Sequence, residues 1–403
     1  TCYPLDSPVN HNETKCPDDD FFREAALTYS RENARMFASK DFLHGICVGA
    51  DWYIVRGGIQ DWTYHWMGGR EIVVEMTKKE GIKDCTIDNV CITTASQQGI
   101  ELVGKIMVDE GDVVIVEGPT YLATLQAWSV YGAKYVTVDL DDEGMKVDEL
   151  EEKLEAMKKV GVRPKMIYTI PTFQNPAGVT ISLERRQKLV ELADRYCVPI
   201  VEDDPYGQLR FEGEHLPPVV VMDDSLRDKA NLTYRGNVIY TSTVSKILAP
   251  GLRIGWVIAP NEVIKKMVQA KQGADLQCST FDQYVAYELL QGEWMKDHIL
   301  TLRTVYKERR DAMLQAFEDF MPEGTTWTRP QGGLFLWLRL PEGCNATQLF
   351  PIAVEEKVAY VPGEPFFPNG GPLNTMRLNF SACNPETIRT GVERLARMVR
   401  RCI

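Results

Sequence analysis

The stretch Thr241-Ser-Thr-Val-Ser-Lys246-Ile-Leu-Ala-Pro-Gly-Leu-Arg253-Ile-Gly-Trp256 decides how this 403-residue chain is read. A lysine stands just past an apolar run at 237–241, hydroxyls flank it at Thr243 and Ser245, and an arginine stands seven residues on. A lysine so placed can form a Schiff base with an aldehyde, while the hydroxyls and Arg253 hold an anionic group on the same molecule. A phosphorylated aldehyde meets both demands. Taken alone, the window is equally a surface loop with ordinary charges; partner segments elsewhere in the chain decide between the two.

Outward from the window, short apolar runs alternate with helical periodicity from about residue 85. Strands are predicted at 89–93, 112–117, 135–138, 165–169, 199–202, 238–241 and 254–258. Several are apolar almost throughout, as strands covered on both faces are. Between them, Asp148 with Glu151 reads as a capping box opening a helix to Lys158. Ser182 caps a helix to about Tyr196, with Leu183, Leu189, Val190, Leu192 and Ala193 on one side. The expected architecture is α/β: a large domain with a mostly parallel seven-stranded sheet flanked by helices. After Gln291 a long helix to Phe320, strands at 332–339, 358–362 and 375–380, and helices at 346–357 and 385–400 describe a smaller α+β domain. The expected division is 1–84, an N-terminal arm with part of the small domain, then 85–290 and 291–403.

Four segments leave predicted strands at the end where open α/β sheets bind ligands. In Ile92-Thr-Thr-Ala-Ser96-Gln97, small polar residues open a helix whose free N–H groups suit a phosphate, although taken alone Ser96 reads first as a plain cap, which needs no ligand. In Tyr168-Thr-Ile-Pro-Thr-Phe-Gln-Asn175-Pro, the residue before proline is extended and its amide can reach a ring hydroxyl. In Val201-Glu-Asp203-Asp204-Pro-Tyr206, a carboxylate ending a buried strand needs a partner, and a protonated pyridine nitrogen would be one. Charge alone leaves open which aspartate points inward. In Met376-Arg377-Leu-Asn379, an arginine between apolar residues suits a bidentate grip on a carboxylate. Tyr121, on the loop after another strand, is placed to stack on a ring. Together these point to pyridoxal 5'-phosphate.

The same residues resemble the fold-type I pyridoxal-phosphate-dependent aminotransferases of class I/II, in the branch with 2-aminoadipate, kynurenine and broad-specificity aromatic enzymes. The resemblance runs from about Cys85 to the C-terminus. It rests on Ser96-Gln-Gln, Glu117-Gly-Pro-Thr-Tyr121, Thr172-Phe-Gln-Asn-Pro-Ala-Gly178, Val201-Glu-Asp-Asp-Pro-Tyr206, the Lys246 window, Arg329-Pro-Gln-Gly-Gly333, Val361-Pro-Gly-Glu-Pro-Phe-Phe367 and Met376-Arg-Leu-Asn-Phe380. It implies that Lys246 is the Schiff-base lysine and that Asp203 faces the ring nitrogen. Tyr206 and Asn175 would share the ring hydroxyl, and Tyr121 would stack. Ser96, Gln97, Thr243, Ser245 and Arg253 would surround the phosphate, while Asn175 and Arg377 would meet the substrate. It also implies a homodimer and transfer of an amino group from an L-amino acid to a 2-oxo acid such as 2-oxoglutarate. Two departures stand out. Ala95 replaces a usual glycine, and the first 84 residues lack the family's glycine-rich substrate loop, the nearest stretch being 57–62.

Composition is that of a globular protein, with 44% hydrophobic and 25% charged residues. A net charge of -12 disfavours a nucleic-acid surface and suits a cytoplasmic enzyme. Apolar runs are too short to span a bilayer. Ten cysteines and five histidines are scattered, so no metal site is expected. Three rival readings remain: a carbon-sulfur lyase on the same scaffold, a catalytically impaired homologue, and the ligand-sensing half of an aminotransferase-like transcription regulator.

Overall fold

A computed structural model describes residues 69–227, 233–291 and 293–402, together with a short antiparallel pair, β1 (Phe42–Leu43) and β2 (Ile46–Cys47). The stretch 57–62 and most of 1–84 lie outside the described residues.

Eight strands form the large sheet: β3 (Val90–Thr94), β4 (Val113–Gly118), β5 (Lys134–Asp141), β6 (Gly144–Met145), β7 (Met166–Thr169), β8 (Ile200–Asp203), β9 (Val238–Thr243) and β10 (Ile254–Ile258). Their order is β3-β10-β9-β8-β7-β4-β5-β6. Strands β9, β8, β7, β4 and β5 run parallel, whereas β10 is antiparallel to both of its neighbours. All seven expected strands are present. The eighth, β6, is a two-residue return hydrogen-bonded to β5, too short to show a period in the sequence.

Strand alternation divides the buried residues into two cores. Ile167, Ile200, Val238 and Ile258 pack on one face with the helices Gly69–Glu80, Val147–Lys159 and Leu183–Tyr196. Tyr168, Val201, Ile239 and Val257 pack on the other with the helices Ala95–Met107 and Asn261–Gln272. Burial on both faces explains the near-continuous apolar runs that marked these strands.

Two helix details differ from expectation. The helix Val147–Lys159 has Lys146 at its N-cap, so Asp148 lies inside the first turn. Its carboxylate goes to Lys188 at 2.5 Å rather than to a capping box, where it still complements the helix dipole. In the helix Leu183–Tyr196, Ser182 does cap, accepting from the Arg185 N–H at 3.5 Å, but Leu183 is exposed. The buried stripe begins one turn later, with Arg186, whose guanidinium is held by four neutral acceptors: the carbonyls of Ile181, Pro171 and Pro217 and the Thr172 hydroxyl.

Beyond the long helix Trp294–Phe320 lie four antiparallel strands: β11 (Thr326–Trp327), β12 (Phe335–Arg339), β13 (Val361–Pro362) and β14 (Thr375–Asn379), in the order β11-β12-β14-β13. The helices Ala346–Glu355 and Pro385–Arg400 cover this sheet. A separate core, including Phe317, Leu336, Met376, Phe380 and Leu395, holds this part together. No described helix is long and apolar enough to cross a membrane.

Candidate active site

The loops that leave β4, β7, β8 and β9 emerge from one end of the parallel sheet, carrying Tyr121, Asn175, Asp203 with Tyr206, and Lys246. Strand period resolves the choice between the aspartates. Asp203 shares its face with Val201 and Tyr168, while Glu202 and Asp204 turn to the opposite one. Glu202 accepts the backbone N–H groups of Val219 and Val220, both at 2.8 Å. Asp204 accepts from Gly207 at 2.9 Å.

Asp203 is 2% exposed, and only one of its oxygens is used. Oδ2 accepts from the Tyr168 hydroxyl at 2.9 Å, whereas Oδ1 is buried without a partner. Burial pushes this carboxyl up to about 7, with the Asp204 charge adding to it; the Tyr168 bond and the Lys246 charge act the other way. A buried carboxylate oxygen left bare is costly unless a donor meets it. The sequence reading gives Tyr168 no role. The available signal is a tyrosine hydroxyl near the end of a buried strand.

Arg377, on β14, donates to Asn175 Oδ1 at 2.8 Å. Its guanidinium carbon lies 4.3 Å from the centre of the Phe335 ring and 5.3 Å from that of Phe366, so two aromatic faces hold the cation. Phe366 belongs to a motif that marked the chain and Phe335 stands just past another, yet no local pattern joins either to Arg377. Phe335 also meets Tyr206 edge-on, ring centres 6.0 Å apart. Tyr206 is buried, and burial raises the pKa of its hydroxyl first, then the charge of Asp203; a bond from Asn175 opposes this. The asparagine amide thus joins Arg377 to the tyrosine.

The loop bearing Asn175 is fastened from below. Glu117 is fully buried and accepts from Thr169 Oγ1 at 2.6 Å, Gln174 Nε2 at 2.9 Å and the Ile170 N–H at 3.3 Å. Burial raises its carboxyl to about 7 against those three donors. Gly178 then turns the chain at φ +74°, where an added Cβ would lie 2.6 Å from the Phe335 carbonyl oxygen. Only glycine permits that approach.

Lys246 closes a short 3-10 turn, Val244–Lys246, capped by Thr243, whose hydroxyl accepts the Ser245 N–H at 3.1 Å and lies 2.8 Å from the Ser245 hydroxyl. Partial burial lowers the ammonium's pKa, and the positive charges of Arg253 and Arg377 lower it further, while Asp203 opposes. Tyr121 feels burial first and then the charges of Asp203, Arg377 and Arg253, and its hydroxyl donates to Gln97 Oε1 at 3.3 Å. Lys246 and Tyr121 thus feel the same three charges, those of Asp203, Arg253 and Arg377, and Arg377 in turn bonds Asn175 and shares the Phe335 ring with Tyr206. Ser96 comes after Ala95 at the start of its helix, and Thr94, not Ser96, is the N-cap. Gly255 lets β10 pass tightly behind: a Cβ there would fall 2.7 Å from the Ser96 nitrogen.

The residues present fit pyridoxal phosphate. The bare Oδ1 of Asp203 matches a protonated ring nitrogen, and an amine with lowered pKa lies within reach of its charge. Fold and site define a pyridoxal-phosphate enzyme with a mostly parallel central sheet. The family model for aminotransferase class I and II matches residues 66–395, and the chain belongs to that family. It is 48% identical over 312 residues to aromatic-amino-acid aminotransferase 1 of Thermococcus litoralis, covering 77% of this chain and 72% of that protein. It is 41% identical over 313 residues to the 2-aminoadipate transaminase of Thermus thermophilus, covering 78% and 76%. The crystal structure of a multiple substrate aminotransferase from Thermococcus profundus matches with a TM-score of 0.79 at 41% identity, covering 94% of this chain and 87% of that one. The protein is a pyridoxal-phosphate-dependent transaminase acting between an amino acid and a 2-oxo acid. A second model, that of zinc carboxypeptidases, matches residues 2–96, most of them outside the described part. Among the described residues no group of three or more His, Cys, Asp or Glu side chains could hold a metal ion.

Proposed function

We propose that the chain takes an aromatic L-amino acid, 2-aminoadipate or a similar donor and passes its amino group to 2-oxoglutarate by ping-pong chemistry. The aromatic-amino-acid aminotransferase and the 2-aminoadipate transaminase among its relatives support the donor class, and the unpaired Oδ1 of Asp203 carries the assignment of roles.

When bound, pyridoxal phosphate supplies the aldehyde carbon that takes up the amino group and a ring that withdraws the electron pair left at Cα. Asp203 Oδ1 would hold the proton on the ring nitrogen, with Tyr168 fixing the carboxylate's other oxygen. Tyr206 and the Asn175 amide would meet the ring hydroxyl, and Tyr121 would stack on the ring. Ser96, Gln97, Thr243, Ser245 and Arg253 would hold the phosphate. Arg377 grips the α-carboxylate in fork geometry, pre-oriented by Asn175, Phe335 and Phe366. The lowered pKa of Lys246 suits it to accept the Cα proton at Nζ, with Arg253 and Arg377 disfavouring its charged form.

We assign the large unit to 85–290 and the small one to 291–403, and infer a homodimer in the cytoplasm. Exposed Leu276, Phe281 and Tyr284, close in sequence to Cys278 beside the Thr94 turn, support a partner surface there.

An absorbance spectrum of the purified protein, followed by a donor panel with 2-oxoglutarate, tests this reading. A visible band lost on adding donor, with glutamate formed, is expected. Ammonia and pyruvate released without any 2-oxo acid would place the chain among the lyases instead.

A further inference from the structure

Behind the Ser96 turn lies a polar triangle that the chemistry above does not use. Lys271, near the end of the helix Asn261–Gln272, is 1% exposed. Its ammonium donates to both oxygens of Asp275, at 2.7 Å each, and to Gln98 Oε1 at 2.9 Å. The Gln98 amide nitrogen donates back to Asp275 Oδ2 at 2.7 Å. All three ammonium protons are therefore engaged within the triangle.

The triangle closes on one residue. Gln98 Oε1 also accepts the backbone N–H of Thr94 at 2.8 Å, and the Thr94 hydroxyl donates to Asp275 Oδ2 at 3.3 Å. The next residue, Ala95, has φ +57°, a left-handed conformation that is strained for any residue with a Cβ. Both of its backbone groups are tied as well: its N–H donates to the Arg253 carbonyl at 2.9 Å, and its carbonyl accepts from Thr93 Oγ1 at 2.9 Å. Strain of this kind persists only where the surrounding bonds over-determine the backbone, and here they fix Ala95 and the residue before it. The direction in which the chain leaves Ala95 is thereby set. Ser96 and Gln97 come next, and their N–H groups open the helix Ala95–Met107.

We propose that Lys271, acting with Asp275 and Gln98, is a positioning residue for the cofactor's phosphate: the triangle built on this buried ammonium pins Thr94 so that the strained Ala95 aims Ser96 and Gln97 at the anion. This rests on the reading that the 95–97 turn holds the phosphate. A buried lysine serves here better than an apolar side chain because one ammonium fixes two side chains from two segments at once. Its effect reaches the ligand only through Thr94 and Ala95.

The test compares pyridoxal phosphate with pyridoxal, which lacks the phosphate, by titrating each into the cofactor-free full-length protein. In Lys271→Met, the Kd for pyridoxal phosphate is expected to rise about tenfold while that for pyridoxal stays within about twofold. Lys271→Met/Asp275→Asn removes both charges, leaves no carboxylate without its ammonium partner, and is expected to show the same selective loss. A parallel rise for both ligands, or no rise for either, overturns the inference. Ser96→Ala separates the inference from its premise. If Ser96→Ala loses pyridoxal phosphate selectively and both Lys271 variants do not, Lys271 has no positioning role. If Ser96→Ala and the Lys271 variants all bind the two ligands as the parent does, the phosphate reading of this turn falls and the inference with it.

Discussion

Arg377 and Asn175 stand 202 residues apart in sequence and 2.8 Å apart in space, joining a strand of the small sheet to a loop of the large one. Whatever carboxylate Arg377 receives is thereby registered against the residues that face the cofactor. Arg377→Lys keeps the charge but loses the planar fork and the seat between Phe335 and Phe366. Loss of that charge-assisted pair is expected to raise KM for both amino and 2-oxo acids by roughly 30-fold or more, with a smaller fall in kcat. Steady-state kinetics with donor and acceptor varied in turn will show it. An unchanged KM for both would remove Arg377 from the carboxylate site.

Lys246→Ala removes the covalent anchor and the group placed to accept the Cα proton. Turnover is expected to fall by at least about 10⁴-fold. The visible band should be absent although pyridoxal phosphate still binds through its phosphate. Retention of full transamination by a well-folded variant would remove Lys246 from the chemistry.

Asp203→Asn tests the carboxylate in two independent ways. With cofactor, kcat is expected to drop by roughly a hundredfold or more, as a fixed charge opposite the ring nitrogen is lost. Without cofactor, the sign reverses. The folded pKa near 7 lies above the 3.8 of an ordinary aspartate. Folding therefore favours the protonated form; relative to low pH, stability declines as pH rises from the unfolded value and levels off above about 7. The amide carries no such loss. The cofactor-free variant should thus melt higher than its parent, by ~3 °C or more at pH 8, with a margin that narrows toward pH 5. Thermal melts across that range decide it, and a margin independent of pH would contradict the assignment.

Ala95→Gly is argued from the backbone alone. Glycine adopts φ +57° without the Cβ clash, so the variant is expected to gain about 0.5–1 kcal/mol of stability and to keep its activity. Denaturant unfolding measures the gain; a loss of stability would show that the turn is not strained.

Much of this is legible in the chain, for identifiable reasons. Strands buried on both faces are nearly all apolar, and so β4, β7 and β10 are plain in the sequence. The site lysine stands out because it lies where a sheet places ligands, and Arg377 because it breaks an apolar run. The choice between Asp203 and Asp204 cannot be made from charge, since both stand at the end of the same buried strand; side-chain period decides it once the strand's neighbours are known. The Asp148 cap fails because the helix begins one residue before it, and a lysine 40 residues away claims its carboxylate. Tyr168, Phe335 and Phe366 act through contacts between distant segments, which no local pattern records. The unusual composition of the first 84 residues coincides with the region matched by a zinc carboxypeptidase model, which no aminotransferase pattern could have organised.

The acids at 202, 203 and 204 occupy successive positions at the end of β8, two of them directed to one side of the sheet and the middle one to the other. The length of this strand is therefore part of its chemistry. Inserting or deleting a single residue upstream of Asp203 in β8 would present an acid of the wrong neighbourhood to the heterocycle and strand a charge beneath it. Engineering that widens donor range should leave that frame untouched.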